Sequence, residues 1–204
     1  MPRNMPFAVT AVFLTFVSVG CGAQSPPPAG TDRIKPTYNT STGRLERITY
    51  DRNGDGKVDA WAYMDGTTVV RAEFDSNYDG VVDRIEYYGP STAASQRETS
   101  SAVPGAGVLT KIEISSRPDG KVTRWEYYEN GARSRDEEDT DGDGRIDKWE
   151  TWRDGALSTV ALDTQGRGRP DRRFVYDADS SEPRLEIDAD GSGQFQPAPA
   201  TAPR

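Results

Sequence analysis

Carboxylates fall at every second residue of Asp139-Thr140-Asp141-Gly142-Asp143-Gly144-Arg145-Ile146-Asp147, with turn formers between them. Oxygens at alternate positions of a tight bend curl onto one point. Such a set suits a hard cation, calcium above all, which takes about 6–8 oxygens at roughly 2.3–2.6 Å and tolerates irregular geometry. The donors here are the side chains of Asp139, Asp141, Asp143 and Asp147 and the backbone carbonyl of Arg145, with Gly144 where the chain must reverse. The same frame offers Asp51, Asn53, Asp55, the carbonyl of Lys57 and Asp59, and again Asp75, Asn77, Asp79, the carbonyl of Val81 and Asp83. Ca2+ is therefore the expected cofactor. Decayed copies begin at Ser115, Asp163 and Asp188: Arg117 and Arg167 stand at ligand positions, and the last copy has Ser192 and Gln196 there. Those three read as plain turns, because Asp-Gly and Asn-Gly are ordinary turn signals and Asp caps its own backbone without a metal. That bare-turn reading also stays open for the complete copies.

The bends recur at intervals of 24, 40, 24, 24 and 25 residues, and a 16-residue insertion accounts for the outlier. A fixed period over most of a chain means a repeat architecture. Each repeat reads as two strands. After the bend, Trp61, Ile85, Trp125 and Trp149 hold one column and Tyr63, Tyr87 and Tyr127 another two residues on, the period of a strand. Both columns are expected on one face. The other face would carry Arg84/Glu86, Arg124/Glu126 and Lys148/Glu150 as charged cross-strand ladders, and would stay wet. Tight reversals are predicted at Asp65-Gly66, Gly89-Pro90, Asn130-Gly131 and Asp154-Gly155, the Asp-Gly and Asn-Gly pairs because both residues of such a turn need positive φ. Returning strands are apolar before the next bend, as in Ile112 and Ile114. At Asp136-Glu137-Glu138 the strand turns acidic, which predicts either fraying or a deeper field around the Asp139 bend. The fold class is all-β: an antiparallel meander of about 24-residue two-strand repeats in a single twisted sheet, with cation bends on one rim.

The spacing of the bends resembles the EF-hand loop, whose twelfth position is a bidentate glutamate; Glu86 and Glu150 fill that position and Ala62 does not. It is similar as well to the DxDxDGxxD hairpin loops of FG-GAP and integrin-α propeller blades, which lie between strands and imply no twelfth glutamate. The strand-like flanks favour the second likeness, because positions nine and twelve of a strand face opposite sides. The run Trp125-Glu126-Tyr127-Tyr128-Glu129-Asn130-Gly131 looks like the hairpins of MORN-like bacterial repeats.

Residues 1–20 read as a targeting segment, with Arg3 followed by an apolar stretch from Phe7 to Val19. Ser18-Val19-Gly20-Cys21 resembles the bacterial lipoprotein lipobox, with Ser18 where leucine is usual. The resemblance implies that Cys21 is acylated and that membrane lipid is a partner. A triacylated cysteine buries enough CH2 groups, at about 0.8 kcal/mol each, for stable anchoring. The expected site is the outer membrane or cell surface of a bacterium, lipid-anchored, with the periplasmic face as the alternative. Residues 21–43 read as the lipidated cysteine and a Pro-rich tether, 44–195 as the β-hairpin repeat domain with the insertion at 90–105, and 196–204 as a disordered tail.

The formal net charge is −8, which argues against nucleic acid as a partner, since that needs a basic stripe. With no histidine, one cysteine and neither a nucleophile elbow nor a phosphate-binding glycine loop, the expectation is a protein that is not an enzyme. What remains is a structural or binding role, with an envelope protein or glycan as the partner. The competing expectation is a metal-free module that recognises glycan or protein through exposed Trp61, Trp125, Trp149 and Trp152.

Overall fold

A computed structural model describes residues 31–90, 105–177 and 180–199. The expected targeting segment, Cys21, and residues 91–104 of the insertion lie outside the described residues. The chain builds one open antiparallel sheet of 13 strands whose spatial order follows the sequence. The strands are β1 (Ile34–Tyr38), β2 (Leu45–Tyr50), β3 (Ala60–Asp65), β4 (Thr68–Phe74), β5 (Arg84–Gly89), β6 (Val108–Ile114) and β7 (Arg124–Glu129). They continue as β8 (Ala132–Glu138), β9 (Lys148–Arg153), β10 (Ala156–Leu162), β11 (Arg172–Val175), β12 (Arg184–Ile187) and β13 (Gln196–Pro197).

Two ends of the sheet extend past the expected domain limits. β1 pairs with β2 although it falls in the stretch read as tether, and β13 pairs with β12 although it falls in the stretch read as tail. Polar, proline-containing composition masked both. Pro36 sits on the edge strand, the position in a sheet where a missing amide is tolerated.

The repeat frame also decides where the reversals fall. Asn130 and Gly131 adopt φ of 53° and 80°, and Asp154 and Gly155 adopt 52° and 77°, so both turns match the Asn-Gly and Asp-Gly expectation. In the first repeat the turn is instead Gly66-Thr67, since β3 runs through Asp65 and Asp65 pairs with Thr68. Strand length counted from the Trp column overrides the dipeptide signal. The β3–β4, β5–β6, β7–β8 and β9–β10 hairpins each carry a bulge beside the turn, on the returning strand, and the hydroxyls of the extra residues Thr110 and Ser134 donate to the carbonyls of Tyr87 and Tyr127 at 3.0 and 3.2 Å. A repeated bulge increases local twist in step along the sheet.

The two faces depart from expectation. Trp and Tyr do share a face, but cations and acids interleave them. Register places Tyr63, Arg71, Tyr87, Lys111, Tyr127 and Arg135 in one file. Arg71 lies 5.2 Å from the Tyr63 ring and 5.7 Å from Tyr87, Lys111 lies 4.7 Å from Tyr87, and Arg135 lies 4.2 Å from Tyr127. Each such contact contributes about 0.5–1 kcal/mol at a partly exposed site. The tyrosine hydroxyls donate to Glu73, Glu113 and Glu137 at 3.0, 2.8 and 3.1 Å.

The face expected to stay wet holds buried acids. Glu86, Glu126 and Glu150 are 7–9% exposed and Asp136 is 1% exposed. They share one file with Ala72 and Ile112, in which Glu126, Asp136 and Glu150 stand on three successive strands. Asp136-Glu137-Glu138 is therefore not frayed: β8 is paired on both sides, and its acids are held by cations. Arg124 contacts Asp136 at 3.2 Å, Glu138 at 2.9 Å, Glu126 at 3.2 Å and Glu150 at 3.4 Å. Arg133 adds Asp136 at 2.7 Å and Glu126 at 2.8 Å, and Trp152 Nε1 donates to Asp136 at 2.9 Å. Buried acids persist only when paired and hydrogen-bonded. Apolar burial is modest by comparison: among the described residues the buried apolar cluster is Val69, Ala72 and Tyr88, with Ile112 beside the same file.

Candidate metal rim

All the acidic bends lie on one rim, joined by a regular chain of backbone bonds. The ninth residue of a bend closes it by donating back to the residue before the first, as Asp59 does to Tyr50 at 3.0 Å and Asp147 to Glu138 at 3.0 Å. The first residue then donates to the ninth residue of the preceding bend: Asp75 to Asp59, Ser115 to Asp83, Asp139 to Thr123 and Asp163 to Asp147, each at 2.8 Å. Neighbouring bends are thus two strands apart, roughly 10 Å at the usual strand spacing.

Inside each complete bend the carboxylates satisfy amides first. Asp139 accepts the Gly142 and Gly144 amides at 2.6 and 2.9 Å, Asp141 accepts Asp143 at 3.1 Å, Asp143 accepts Arg145 at 2.8 Å, and Asp147 accepts the Thr140 amide and hydroxyl at 3.1 and 2.8 Å. Asp51 accepts Gly54 and Gly56, Asn53 accepts Asp55, Asp55 accepts Lys57, and Asp59 accepts Arg52 and Asn53, all at 2.5–3.2 Å. Asp75 accepts Asp79 and Gly80, Asn77 accepts Asp79, Asp79 accepts Val81, and Asp83 accepts Ser76 and Asn77 at 2.7–3.2 Å. Each carboxylate has about four acceptor sites, so one or two amides leave lone pairs for an ion. The fourth and sixth residues take positive φ, as at Gly142 (78°) and Gly144 (91°); the Asp75 bend puts Tyr78 at φ 64° in that role.

Convergence differs among the bends. Oxygens of Asp139, Asp141 and Asp147 lie within 4.8 Å of one another, a spacing that one ion at calcium–oxygen distances can bridge. Among the described residues no other three carboxylates meet as closely. Asp143 lies outside that trio, and in the other two bends asparagine takes the third position. The twelfth-position glutamates are occupied elsewhere: Glu86 pairs with Arg84 at 2.7 Å and accepts the Tyr88 hydroxyl, and Glu150 pairs with Lys148 at 2.8 Å. The strand flanks keep them from the rim.

Cations border the rim. A side chain at Gly142 would overlap the guanidinium of Arg117, whose Nη1 is 1.7 Å from where a Cβ would stand. Arg33 is placed likewise beside Gly54, 2.6 Å from the corresponding point. Arg117, which displaces a ligand in its own decayed copy, therefore leans onto the next bend, a role that ligand counting missed. In the Asp163 bend, burial pushes the Asp163 carboxyl up slightly, and amides led by those of Arg167 and Gly168 outweigh this and hold it below the usual carboxylate range. The hydroxyl and amide of Ser192 hold Asp190 low, and its carboxylate lies against Asp188.

Trp61, Trp125, Trp149 and Trp152 are all half-buried, and the exposed large apolar residues are others, such as Ile34, Tyr38 and Tyr78.

The family model of the EF hand matches residues 139–158. The match and the three-carboxylate group together fit a calcium-loop repeat and suggest calcium binding. It takes in the bend, but the residues after it are β9 and the start of β10 rather than the helix of an EF-hand. No curated protein matches the sequence. A crystal structure of accessory secretory protein 1, 2 and 3 from Streptococcus pneumoniae is similar over 65% of this chain at 16% identity and a TM-score of 0.29. The aligned part spans 19% of that protein's chain, a likeness too slight to bear on function.

Proposed function

We propose that this chain is a calcium-binding β-repeat lipoprotein, anchored in the bacterial envelope through acylated Cys21 and serving a structural or binding role there. The observation that carries the calcium part is the convergence of Asp139, Asp141 and Asp147. Hard oxygen donors without nitrogen or sulfur select calcium or magnesium, and an irregular bend favours calcium over the strict octahedron of magnesium. Asp143 and the Arg145 carbonyl complete the set. Extracellular calcium modules bind at about 10⁻⁴–10⁻³ M, so at ten times Kd each occupied bend adds roughly 1.4 kcal/mol to folding. The anchoring part rests on Ser18-Val19-Gly20-Cys21 and the apolar stretch before it.

Two experiments test the parts separately. Calcium at millimolar concentration raises the melting temperature of residues 22–204 and EDTA reverses the rise; an unchanged melt, with no calcium retained, rejects the calcium reading. Expression of the full chain in a bacterial host with labelled palmitate yields a labelled, membrane-associated protein that Cys21→Ala abolishes; label retained in Cys21→Ala rejects the anchor.

A further inference from the structure

Among the decayed copies the Asp188 bend carries an unpartnered carboxylate oxygen. Asp188 is 2% exposed. Its Oδ2 accepts the Gly193 amide at 3.0 Å, which turns the carboxylate into the bend, while its buried Oδ1 has no hydrogen-bond partner. In the Asp139 bend both oxygens of the equivalent aspartate are used, one by Gly142 and one by Gly144. A buried carboxylate oxygen with nothing to bind is costly, so the bend at Asp188 is short of one partner for that oxygen.

The surroundings supply oxygen ligands for a cation in that role. Asp190 lies against Asp188, with the Ser192 hydroxyl beside it. Asp190, Ser192, Gln194 and Gln196, together with Ile187 and Ala189, line an open crevice of about 250 Å³ along the bend, next to Asp188 in sequence but not lined by it. Read in the repeat frame, the polar ones are the third, fifth, seventh and ninth positions. Serine and glutamine lose the charge of aspartate but keep an oxygen, and a hard cation accepts neutral and charged oxygens together.

We propose that Asp188–Gln196 is a further divalent-cation site of the calcium class, held by the side chains of Asp188, Asp190, Ser192 and Gln196 and the carbonyl of Gln194. It shares the cation class of the proposed function and stands on a different bend and a different observation. Two carboxylates, with Arg169 of the neighbouring bend donating to the Gly191 carbonyl, place its affinity below that of the Asp139 bend.

Equilibrium dialysis of the full chain against radioactive calcium at saturating millimolar concentration is the test. Asp190→Asn, at an exposed residue, loses one equivalent while its circular dichroism stays that of the parent, and Asp141→Asn loses a separate one. Asp190→Asn binding as many ions as the parent, while Asp141→Asn binds one fewer, overturns this proposal and leaves the Asp139 reading intact. A parent chain that binds none overturns both. Independently, substoichiometric Mn2+ broadens the Gly191 and Gly193 amide resonances of the parent; sharp signals there beside broadened Gly142 and Gly144 also overturn it.

Discussion

In the Asp139 bend the Gly144 amide donates to Asp139 at 2.9 Å and the Thr140 hydroxyl to Asp147 at 2.8 Å; in the Asp163 bend the Gly168 amide donates to Asp163 at 2.6 Å and the Thr164 hydroxyl to Asp171 at 2.8 Å. Glycines at the fourth and sixth positions take positive φ in both. Yet one bend has Asp141 and Asp143 inside, and the other has Gln165 and Arg167. Backbone geometry here is set by amide-to-carboxylate bonds from the first and ninth residues. Metal competence is set separately by the third and fifth. A copy can thus lose its ion and keep its fold, which accounts for decay of ligands beside retention of the period.

Substitutions can break that separation. Asp139→Ala strips acceptors from two amides and costs about 2–6 kcal/mol even in EDTA, at roughly 1–3 kcal/mol per unsatisfied group; it also abolishes the calcium-induced gain. Asp163→Ala gives a similar loss in EDTA by denaturant melts and leaves the calcium gain untouched. Should the two differ widely in EDTA, the shared-backbone account is wrong. In the opposite direction, Gln165→Asp with Arg167→Asp restores the ligand pattern, and one more calcium equivalent is expected by dialysis, with about 1.4 kcal/mol of added stability at ten times Kd.

Alkaline titration sharpens the contrast between rim and faces. Burial pushes the Tyr128 hydroxyl up to about 12, with Glu126 beside it adding to the shift. Tyr63, Tyr87 and Tyr127 are also raised, first by burial and then by Glu73, Glu113 and Glu137. A folded-state pKa above the unfolded value means that the folded chain holds the proton longer, so this stability is present below about pH 10 and is lost as pH rises toward 12. Melts in EDTA across that window fall with pH, and Tyr128→Phe flattens the fall. The calcium-dependent increment, which belongs to carboxylates of the rim, stays constant through the early part of it.

The smallest effect concerns Arg117, whose guanidinium lies against Gly142. Arg117→Gln removes a like charge from beside the ion and tightens calcium at the Asp139 bend by about two- to fivefold at low salt, the size of an exposed charge interaction. Added salt erases the difference, because exposed charges are screened within about 10 Å at 0.1 M. Calorimetric titration of parent and variant at two ionic strengths reads it.

Much of the fold is written plainly in the chain. A 24-residue period, aromatic columns two residues apart and Asn-Gly turns yield the order of the meander and the rim on which the bends sit. β1 was hidden because Ile34-Lys35-Pro36-Thr37-Tyr38 offers little apolar alternation beside a proline. The buried acids were misassigned to a wet face because charge was equated with exposure. In this sheet Arg124 and Arg133 supply enough donors for Glu126, Asp136 and Glu150 to pack side by side, and no one-dimensional pattern shows which strands bring those residues together. At the site, ligand identity was readable, but the meeting of Asp139, Asp141 and Asp147 depends on backbone bonds within the bend, and the lone oxygen of Asp188 depends on one amide turning away.

Crystals grown in millimolar calcium, with anomalous differences collected at a long wavelength, test the central claim most directly. The expected result is a peak in the Asp139 bend about 2.3–2.6 Å from oxygens of Asp139, Asp141 and Asp147. A bend with those oxygens turned outward and no peak, at a calcium concentration well above millimolar, contradicts it.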